Sequence, residues 1–566
     1  MNFIITPRYS DVFEGEIPKL EDLLIDFPSK AVLGILCLIN AELYTGRDSE
    51  AQSKIFNFLT QRMQPKTKRQ ILTKLYHHKK QQRIDLFSIR FSLEFIHYEL
   101  THFRDFTIED TTPEQEFNFL KAYLVIVDNV NDSYELSFDV PEEKGEFFQV
   151  ATWPTFTDQY EANHPINPIN SLTRSLVFFN VLKNLEEFKP YVTSFLNYQQ
   201  KANYWDYLRT LSDALQLSWT NDKQVKLQPF YIPQNEYTKK IIDNFTINPA
   251  EYKKRFGENK QNFNGLKSFP VIKIDSERNV VTNWNYITNK FYEGLLFDFY
   301  GNSGIKDHPK FKSFPDFKNF VAQEITEKHI FKKTLSYYLD KKYAVLNFDE
   351  SNDNGFPDAY YRIGNYIFLF EIKDAYFPSK VINSLDYDEI KGAIDTKYNT
   401  DRKGTGQIVK QLKALAVAPF EEKSYQQLKI KPRNLTIYPV IIYTDNFFSM
   451  PGVNRYLNQE LRKRLDSEND LKTNFKTVKD LVFIDMSFLI GKIHELHKFN
   501  LKELAEGYFQ YLKRYEKNFN KKYDEQDMFS MNLPFERYVS KIHSTKKNSS
   551  FLEKVFEVLE IEKDVT

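Results

Sequence analysis

The spacing of apolar residues predicts mainly helices in the first half of the chain. From residue 15 to about residue 110, and again over 171–217, apolar side chains recur every three or four positions. Between these parts, residues 120–160 have a strand-like composition, because the run Ala122–Val127 is mostly β-branched and aromatic. We therefore predict a helical region with one β-rich stretch over residues 1–285.

From residue 286 onward, helical and extended patterns alternate, as in a sheet flanked by helices. The predicted elements are helices over 286–300 and 315–339, a strand over 343–348, a hairpin over 358–373, a polar insertion over 374–404, a helix over 405–418, strands over 435–443 and 481–485, and a helix over 486–497. Pro439 predicts an edge position or a bulge for its strand, because proline cannot donate a ladder hydrogen bond. We predict an α/β fold, α+β overall, with a mixed central sheet over 286–500 and a helical tail over 501–566.

The composition excludes several classes of protein. The 566 residues correspond to about three to four domains at roughly 150 residues each. Because 77 Lys and Arg balance 77 Asp and Glu, the chain is not a uniformly basic coat for nucleic acid. The single cysteine, Cys37, excludes an internal disulfide and a multi-cysteine metal site. We find no apolar run of about 18 residues and no signal-peptide pattern, and we expect a cytoplasmic protein without a membrane partner.

A short turn in the hairpin places two carboxylates opposite each other. The Gly-Asn pair at 364–365 is a two-residue turn signal between two β-prone runs. Counting outward from that turn pairs Asp358 with Glu371. Lys373 shares the face of Glu371 because strand side chains alternate, whereas Asp374 points to the other face and is excluded from the site.

Two acids in this arrangement need an explanation, because like charges directly opposed across strands destabilise a sheet. A bound cation, a raised pKa or exposure to water would relieve the repulsion. Mg²⁺ prefers oxygen ligands and typically takes one or two protein carboxylates together with phosphate oxygens and water. Beside such an ion, Lys373 could position or deprotonate an attacking water, or hold a phosphate oxygen. These are the components of metal-assisted phosphodiester hydrolysis.

This arrangement resembles the PD-(D/E)XK nuclease superfamily. Pro357-Asp358 matches its PD element, and the Glu-Ile-Lys sequence of 371–373 matches its E-X-K element. The resemblance covers about residues 286–490 and includes the order helix, strand, hairpin, helix, strand. It implies a restriction-endonuclease-like sheet, with Mg²⁺ or Mn²⁺ bound by Asp358 and Glu371, and with Lys373 acting on the water or the scissile phosphate.

The resemblance also implies a substrate. Most members of this build act on DNA, so we expect a metal-dependent DNA endonuclease. A large region fused to such a domain is similar to restriction and anti-phage defence nucleases, in which residues 1–285 would serve recognition or regulation, and a protein partner or oligomer would control activity. Two alternatives stay open: a non-catalytic nucleic-acid-binding, sensor or scaffold protein on the same fold, and an RNase.

Two glutamates on the helix predicted over 315–339 are candidates for a further metal ligand. Glu324 and Glu327 fall at helical spacing within an apolar stripe and would face inward. An inward carboxylate without a partner is costly. Many members of the superfamily carry a glutamate on the helix before the first strand, and we prefer Glu324, with Glu327 as an accessory residue. The alternative is a glutamate at the edge of the stripe that reaches solvent.

The helix predicted after the insertion brings two glutamines towards the site. Gln407 and Gln411 lie one turn apart on one face, and some members of the superfamily carry glutamine on the corresponding helix. We assign Gln407 to the catalytic set, with Gln411 and Lys410 as accessory residues. Gly404 and Gly406 would let the backbone approach a phosphate at the helix N-terminus. A polar helix face without a catalytic role is the alternative.

Two basic stretches, residues 66–83 and 511–523, are further candidates for contact with nucleic acid. Each is rich in lysine and arginine and, as a helix, could follow a phosphate backbone. A solvated helix face is the alternative, and the sequence favours it for both stretches. The insertion over 374–404 mixes acids and bases, and a long polar loop beside a site often contacts substrate.

Overall fold

The fold described here is that of a computed structural model. The structure describes residues 4–46, 49–78, 83–108, 110–132, 146–163, 166–219, 236–258, 261–275, 278–349, 355–417, 420, 431–522, 524–543 and 551–562. Within these ranges, no helix combines the length and the apolar character needed to cross a membrane.

The chain divides into two compact units. The first comprises Met1–Asp139, Gln159–Ser171 and Thr193–Ser303, and the second comprises Val140–Asp158, Leu172–Val192 and Gly304–Thr566. The sequence predicts a boundary after residue 285 and a separate tail over 501–566. The structure instead begins the main segment of the second unit at Gly304 and includes the C-terminal helices in that unit.

Helices make up most of the first unit. Three of them, Ser29–Thr45, Ile89–Thr101 and Pro113–Asp132, bury most of their length in one apolar core. The other helices are Tyr9–Val12, Leu20–Leu24, Ser49–Leu59, Pro65–His78, Tyr204–Trp219, Glu236–Asn244, Pro249–Phe256, Asn264–Ser268, Trp284–Asn289 and Glu293–Asn302. Short strands lie at Ile4–Ile5, Arg83–Ile84, Thr246–Ile247, Val271–Lys273 and Asn279–Val281, and the residues of helices Phe147–Asn163, Pro168–Asn184 and Lys189–Tyr198 are divided between the units.

The predicted β-rich stretch over 120–160 is wrong where the structure describes it. Ala122–Val127 lies inside the helix Pro113–Asp132, and Phe147–Asn163 is also helical. All residues of Ala122–Val127 are buried. A helix buried on all sides carries a continuous apolar run, which periodicity alone cannot distinguish from a buried strand. Residues 133–145 lie outside the described residues.

The second unit contains a six-stranded mixed sheet. We label its strands β1 (Ala344–Phe348), β2 (Ala359–Ile363), β3 (Tyr366–Lys373), β4 (Thr436–Tyr443), β5 (Thr477–Val478) and β6 (Val482–Asp485). The spatial order is β1, β2, β3, β4, with β5 and β6 both pairing with β4. The first two pairings are antiparallel, and those of β4 with β3, β5 and β6 are parallel. The prediction of a mixed α and β protein is confirmed.

The hairpin of β2 and β3 has the register that its turn predicts. Ala359 pairs with Phe370, as counting outward from the turn requires. Gly364 has a φ of +57°, a left-handed conformation that glycine adopts without strain. Because Asp358 directly precedes β2 and Glu371 follows the last paired residue, the two acids come opposite each other.

Pro439 lies in a central strand, so the predicted edge position is wrong. β4 pairs with β3 along its whole length, and Pro439 is in register with Leu369. On the other side of β4, β5 pairs with Thr436 and Ile437, and the pairing with β6 begins at Val440. Pro439 therefore faces the break between two short strands. A residue without an N–H is tolerated there because no ladder partner lies opposite it on that side.

Three helices of this unit bear on function. α1 runs continuously through Phe314–Phe320, Val321–Phe331 and Lys332–Leu339, α2 is Thr405–Val417, and α3 is Leu501–Lys522. Other helices are Val453–Ser467, Asn469–Asn474, Met486–Gly491, Glu525–Met531, Phe535–Ile542 and Phe551–Leu559. Short 3-10 turns lie at Ile305–Asp307, Pro432–Asn434, Asn446–Ser449 and Leu496–Lys498.

One face of the sheet packs against apolar helices. Phe370, Ile442 and Ile484 line a void of about 10 Å³ with side chains from α1, α3, Met486–Gly491 and Phe535–Ile542. This void is apolar and too small for a ligand. The opposite face carries Glu371 and contacts α2.

The middle segment of α1, Val321–Phe331, has π-helical hydrogen bonding. Its bonds run from residue i to i+5, so each turn includes more residues than a turn of α-helix. The buried positions are consequently spaced differently from the three-and-four pattern, at Val321, Ile325, Thr326, Ile330 and Phe331. The predicted helix over 315–339 is confirmed, but the faces of its middle part are not those of an α-helix.

The predicted insertion over 374–404 is ordered secondary structure. It contains helices Ser379–Ile382 and Tyr387–Tyr398 and a hairpin of Asn399–Thr400 with Lys403–Gly404. Helix Tyr387–Tyr398 buries an apolar stripe that its scattered charges conceal in the sequence.

Two predicted helices also differ in extent. The helix predicted over 286–300 is interrupted between Trp284–Asn289 and Glu293–Asn302. The helix predicted over 486–497 ends at Gly491. Boundaries are the least certain part of such predictions, because capping and tertiary packing decide where a helix ends.

Candidate active site

Two carboxylates meet near the C-terminal end of β3. Asp358 accepts a hydrogen bond from the backbone N–H of Ile372 at 2.6 Å. Glu371 is fully buried, with 0% of its surface exposed, and the charge of Asp358 acts on its carboxyl group. The hairpin therefore brings the two acids together, as the turn at 364–365 predicts.

Glu371 also contacts two polar side chains. Lys373 Nζ donates to Glu371 Oε2 at 3.0 Å, while 21% of the lysine side chain remains exposed. Gln411 Nε2, from α2, donates to Glu371 Oε1. Gln411 is fully buried, and its Oε1 has no hydrogen-bond partner in the described part of the chain. Of Glu371, Lys373 and Gln411, it is Lys373 that contacts the buried carboxylate and is also exposed to solvent.

Burial makes both acids harder to ionise, and the charge of Asp358 adds to this effect at Glu371. Burial, followed by the charge of Asp358, raises the pKa of Glu371 well above its ordinary value, although Lys373 opposes the shift. Burial also raises the pKa of Asp358, against the effect of the same lysine. Burial would lower the pKa of Lys373, but the two carboxylates outweigh it and raise that pKa. The cluster has more negative charge than its own groups compensate, and a cation would stabilise it.

The structure brings Glu327, rather than Glu324, under the influence of the Asp358 charge. Burial, followed by the charge of Asp358, raises the pKa of Glu327 to about 6. Glu324 instead forms an ion pair with Lys328 one turn along the helix. The prediction that both glutamates face inward rests on α-helical spacing, which the π-helical segment of α1 does not have. Glu327 is therefore the better-placed candidate for a third acid.

In the absence of metal, we expect the free energy of unfolding of the Glu327→Gln variant to depend less on pH than that of the wild type. The pKa of Glu327 is raised from 4.5 to about 6, so between those values the folded chain retains a proton that the unfolded chain has released. The free energy of unfolding then falls as pH rises through that window. Urea unfolding across the window, with a chelator present, should show a smaller fall for Glu327→Gln than for the wild type. Glu324→Gln is the matched control, and a flattened profile in that variant alone would contradict the assignment.

Of the other residues predicted on α2, neither contacts the acids in the described structure. Gln407 is partly buried, and its Oε1 has no hydrogen-bond partner among the described residues. Lys410 is exposed and acts electrostatically on Asp401. Gln411, predicted as accessory, is the glutamine that reaches Glu371. The geometry thus places the second glutamine, one turn further along α2, at the site.

Gly404 and Gly406 allow close packing of backbone against backbone. A β-carbon at Gly404, where φ is +58°, would lie 2.0 Å from the carbonyl oxygen of Tyr398. A β-carbon at Gly406 would lie 2.2 Å from the carbonyl oxygen of Thr400. The hairpin before α2 therefore occupies the space beside these glycines. The packing of the chain on itself, rather than the predicted approach to a phosphate, explains them.

Asp374 lies at the centre of a buried network that sequence reasoning missed. Its side chain is 3% exposed and accepts hydrogen bonds from Lys318 Nζ and Thr444 Oγ1, each at 2.7 Å, and from Thr326 Oγ1 at 2.6 Å. Burial opposes ionisation here, but Lys318 and Arg174 outweigh it and lower the pKa of Asp374 to about 2. One carboxylate therefore ties α1, the end of β3 and the residue after β4 together.

This network fixes the positions of the two elements, α1 and β3, that carry the candidate site. Thr326 directly precedes Glu327, and Asp374 directly follows Lys373, so their hydrogen bond fixes α1 against β3 next to both residues. A clue exists in the sequence, because Lys318 lies beside the apolar residues of α1. A buried ammonium is costly without a partner, which indicates an acid facing that helix.

The donors present suit a hard divalent cation. Asp358 and Glu371 offer carboxylate oxygens, which Mg²⁺ prefers, and their repulsion is what a cation would neutralise. Across the described ranges, no group of three or more His, Cys, Asp and Glu has a geometry that could hold a metal ion. Mg²⁺ at this pair would therefore complete its coordination with water and substrate phosphate, as is typical of that ion.

No protein-family model, curated protein or solved structure matches this chain. The resemblance to PD-(D/E)XK nucleases therefore rests on the residues of the hairpin and on the order of the elements around it. The geometry of Asp358, Glu371 and Lys373 is the basis for any assignment of function.

Proposed function

We propose that this protein is a metal-dependent nuclease whose phosphodiester-cleaving site is formed by Asp358, Glu371 and Lys373. The observation that carries the proposal is the fully buried carboxylate of Glu371, which contacts the ammonium of Lys373 and feels the charge of the half-buried Asp358. Such a cluster costs folding free energy, because burial and like charge both oppose ionisation. Clusters of strongly perturbed acids are typical of functional sites.

Asp358 and Glu371 would hold Mg²⁺ or Mn²⁺, and the ion would supply Lewis-acid stabilisation of charge on the scissile phosphate. The protein orients these ligands through two contacts already made. The N–H of Ile372 holds the Asp358 carboxylate, and Gln411 holds one oxygen of Glu371. Preorganised donors of this kind keep a site in its working geometry without a cost during the reaction.

Lys373 would act on the substrate. Its ammonium carries three donors, one of which engages Glu371 Oε2, and its side chain is partly exposed. It can therefore hold a non-bridging phosphate oxygen or orient the attacking water while it remains attached to the site. The resemblance to restriction and anti-phage nucleases favours DNA as the substrate and defence as the setting.

Cleavage assays on DNA and RNA with one preparation of the full chain test the proposal. We expect DNA to be cut in Mg²⁺ or Mn²⁺, cutting to stop when a chelator is added, and activity to return with excess metal. Activity should also follow the protein through a sizing column, which separates it from a contaminating nuclease. Preferential cutting of RNA would make the protein an RNase. Metal and nucleic-acid binding without cleavage would support the sensor or scaffold alternative.

A further inference from the structure

A stripe of exposed cations lies along the second half of α3. Lys513, Arg514, Lys517 and Lys521, which we call the basic face, are all exposed. At about 100° per residue they fall within an arc of roughly 100° on one side of the helix. None of the four forms an ion pair with another described residue. The balanced net charge of the chain therefore conceals a local concentration of positive charge.

The opposite side of α3 is packed within its own unit. Tyr515 and Phe519 pack against a buried cluster of Phe148, Met528 and Met531. The acid on this part of the helix, Glu516, is paired with Arg455 at 2.7 Å. The orientation of α3 is therefore set by its apolar side, and the basic face is left towards solvent.

This packing distinguishes between two polyanionic partners. A basic amphipathic helix binds an anionic membrane by inserting its apolar face among the lipids. In α3 that face already contacts protein through Tyr515 and Phe519. A phosphate backbone needs only surface cations at helical spacing, which the basic face provides. Lys513 and Lys521 are separated by about 12 Å along the helix axis, a length of duplex that carries roughly three to four phosphates on each strand.

The first basic stretch differs from the basic face in the part that the structure describes, the helix Pro65–His78. On helix Pro65–His78, Lys68 donates to Asn57 at 3.1 Å and Lys74 pairs with Glu14 at 3.0 Å. Lys74 is thus paired with an acid, whereas no cation of the basic face forms an ion pair with another described residue. Of the two stretches that the sequence indicates, the described structure therefore favours the second.

We propose that the basic face of α3 binds the phosphate backbone of a nucleic-acid duplex. The proposal rests on the function proposed above, because it assigns the face to holding the substrate of the same unit. The contact would be independent of base sequence, since lysine and arginine on a helix surface meet phosphates without reading base edges. Its affinity would fall steeply with salt, because each phosphate contact releases counterions.

Binding of a labelled duplex to the full chain in the presence of chelator tests this proposal without any cleavage. We expect the triple variant Lys513→Gln, Lys517→Gln, Lys521→Gln to bind more weakly than the wild type. The plot of log affinity against log salt has a negative slope, and this slope should become less steep by about 0.9 for each phosphate contact that is lost. The loss of three contacts should therefore change it by about 2.7 in all. The corresponding triple arginine variant should keep the wild-type slope.

The control removes three exposed lysines of the first unit, in the variant Lys239→Gln, Lys253→Gln, Lys254→Gln. It changes the net charge equally and should leave affinity and slope unchanged. Duplex binding by the glutamine variant at wild-type strength, an equal loss in the control, or failure of the wild type to bind would overturn the proposal. Loss of binding only in the glutamine variant, in a protein that cuts no substrate, would uphold the basic face and refute the nuclease function.

Discussion

The Lys373→Ala variant is expected to cleave nucleic acid about 10²- to 10⁴-fold more slowly than the wild type in Mg²⁺. Lys373 is on the same face as Glu371, contacts its carboxylate at 3.0 Å and keeps part of its side chain in solvent. It is therefore the group of the cluster that can reach a scissile phosphate. Removing it leaves both carboxylates in place, so the loss should appear in the rate of the chemical step under single-turnover conditions.

Two further variants separate chemistry from stability. Lys373→Arg keeps a cation and should recover part of the rate, whereas Lys342→Ala, which removes an exposed lysine before β1, should cleave as the wild type does. The melting temperatures of Lys373→Ala, Lys373→Arg and Lys342→Ala, compared with that of the wild type, test whether each variant retains the fold. A wild-type rate for Lys373→Ala would remove this lysine from the mechanism.

The second large effect concerns the response of stability to metal. In the wild type, Mg²⁺ bound at Asp358 and Glu371 is expected to raise the melting temperature of the protein. A ligand present at about a hundred times its dissociation constant contributes about 2.7 kcal/mol, which corresponds to roughly 5 °C for a unit of this size. The Glu371→Gln variant should lose that shift, because an amide does not replace a carboxylate ligand.

The same variant should be more stable than the wild type when a chelator is present. The folded-state pKa of Glu371 is raised, so its contribution is favourable at low pH and is lost as pH rises through that pKa. A neutral side chain of the same shape does not undergo that loss of stability. Differential scanning calorimetry with and without Mg²⁺ measures both effects. A metal-induced shift that survives in Glu371→Gln would place the ion elsewhere.

Glu324→Gln is the matched control for this experiment. Its carboxylate is paired with Lys328, so the variant should retain the full response to Mg²⁺. If Glu324→Gln lost the response instead, the ligand preferred from the sequence would be correct. The assignment based on the geometry of α1 would then fail.

The central pair of acids was predictable because it depends on local rules. A two-residue turn fixes the register of the strands on either side of it, and strand side chains alternate. Asp358, Glu371 and Lys373 therefore follow from positions counted along the chain, and the observed pairing of Ala359 with Phe370 agrees with that count. The mixed α and β character followed in the same way, from changes in apolar period along the sequence.

Residues that approach from other elements were not predictable in the same way. The choice between Glu324 and Glu327 depends on the hydrogen bonding of α1, where a π-helical segment changes which residues face the sheet. The choice between Gln407 and Gln411 depends on how α2 packs over β3. One turn of helix separates the residues in each case, and only three-dimensional packing determines which turn is adjacent to Glu371 or Asp358.

The order of apolar and polar residues thus determined the hairpin, its facing acids and the lysine beside them, because those relations are set within a few residues of a single turn. Tertiary structure decided which helical residues complete the site, placed Pro439 at a break between strands, and surrounded Asp374 with partners from α1 and from the end of β4. It also decided that the cations of α3 face solvent, because the aromatic side of that helix is buried against Met528 and Met531. The physical reason is the same throughout: contacts between distant segments depend on how faces pack, and helix faces are settled only when the core forms.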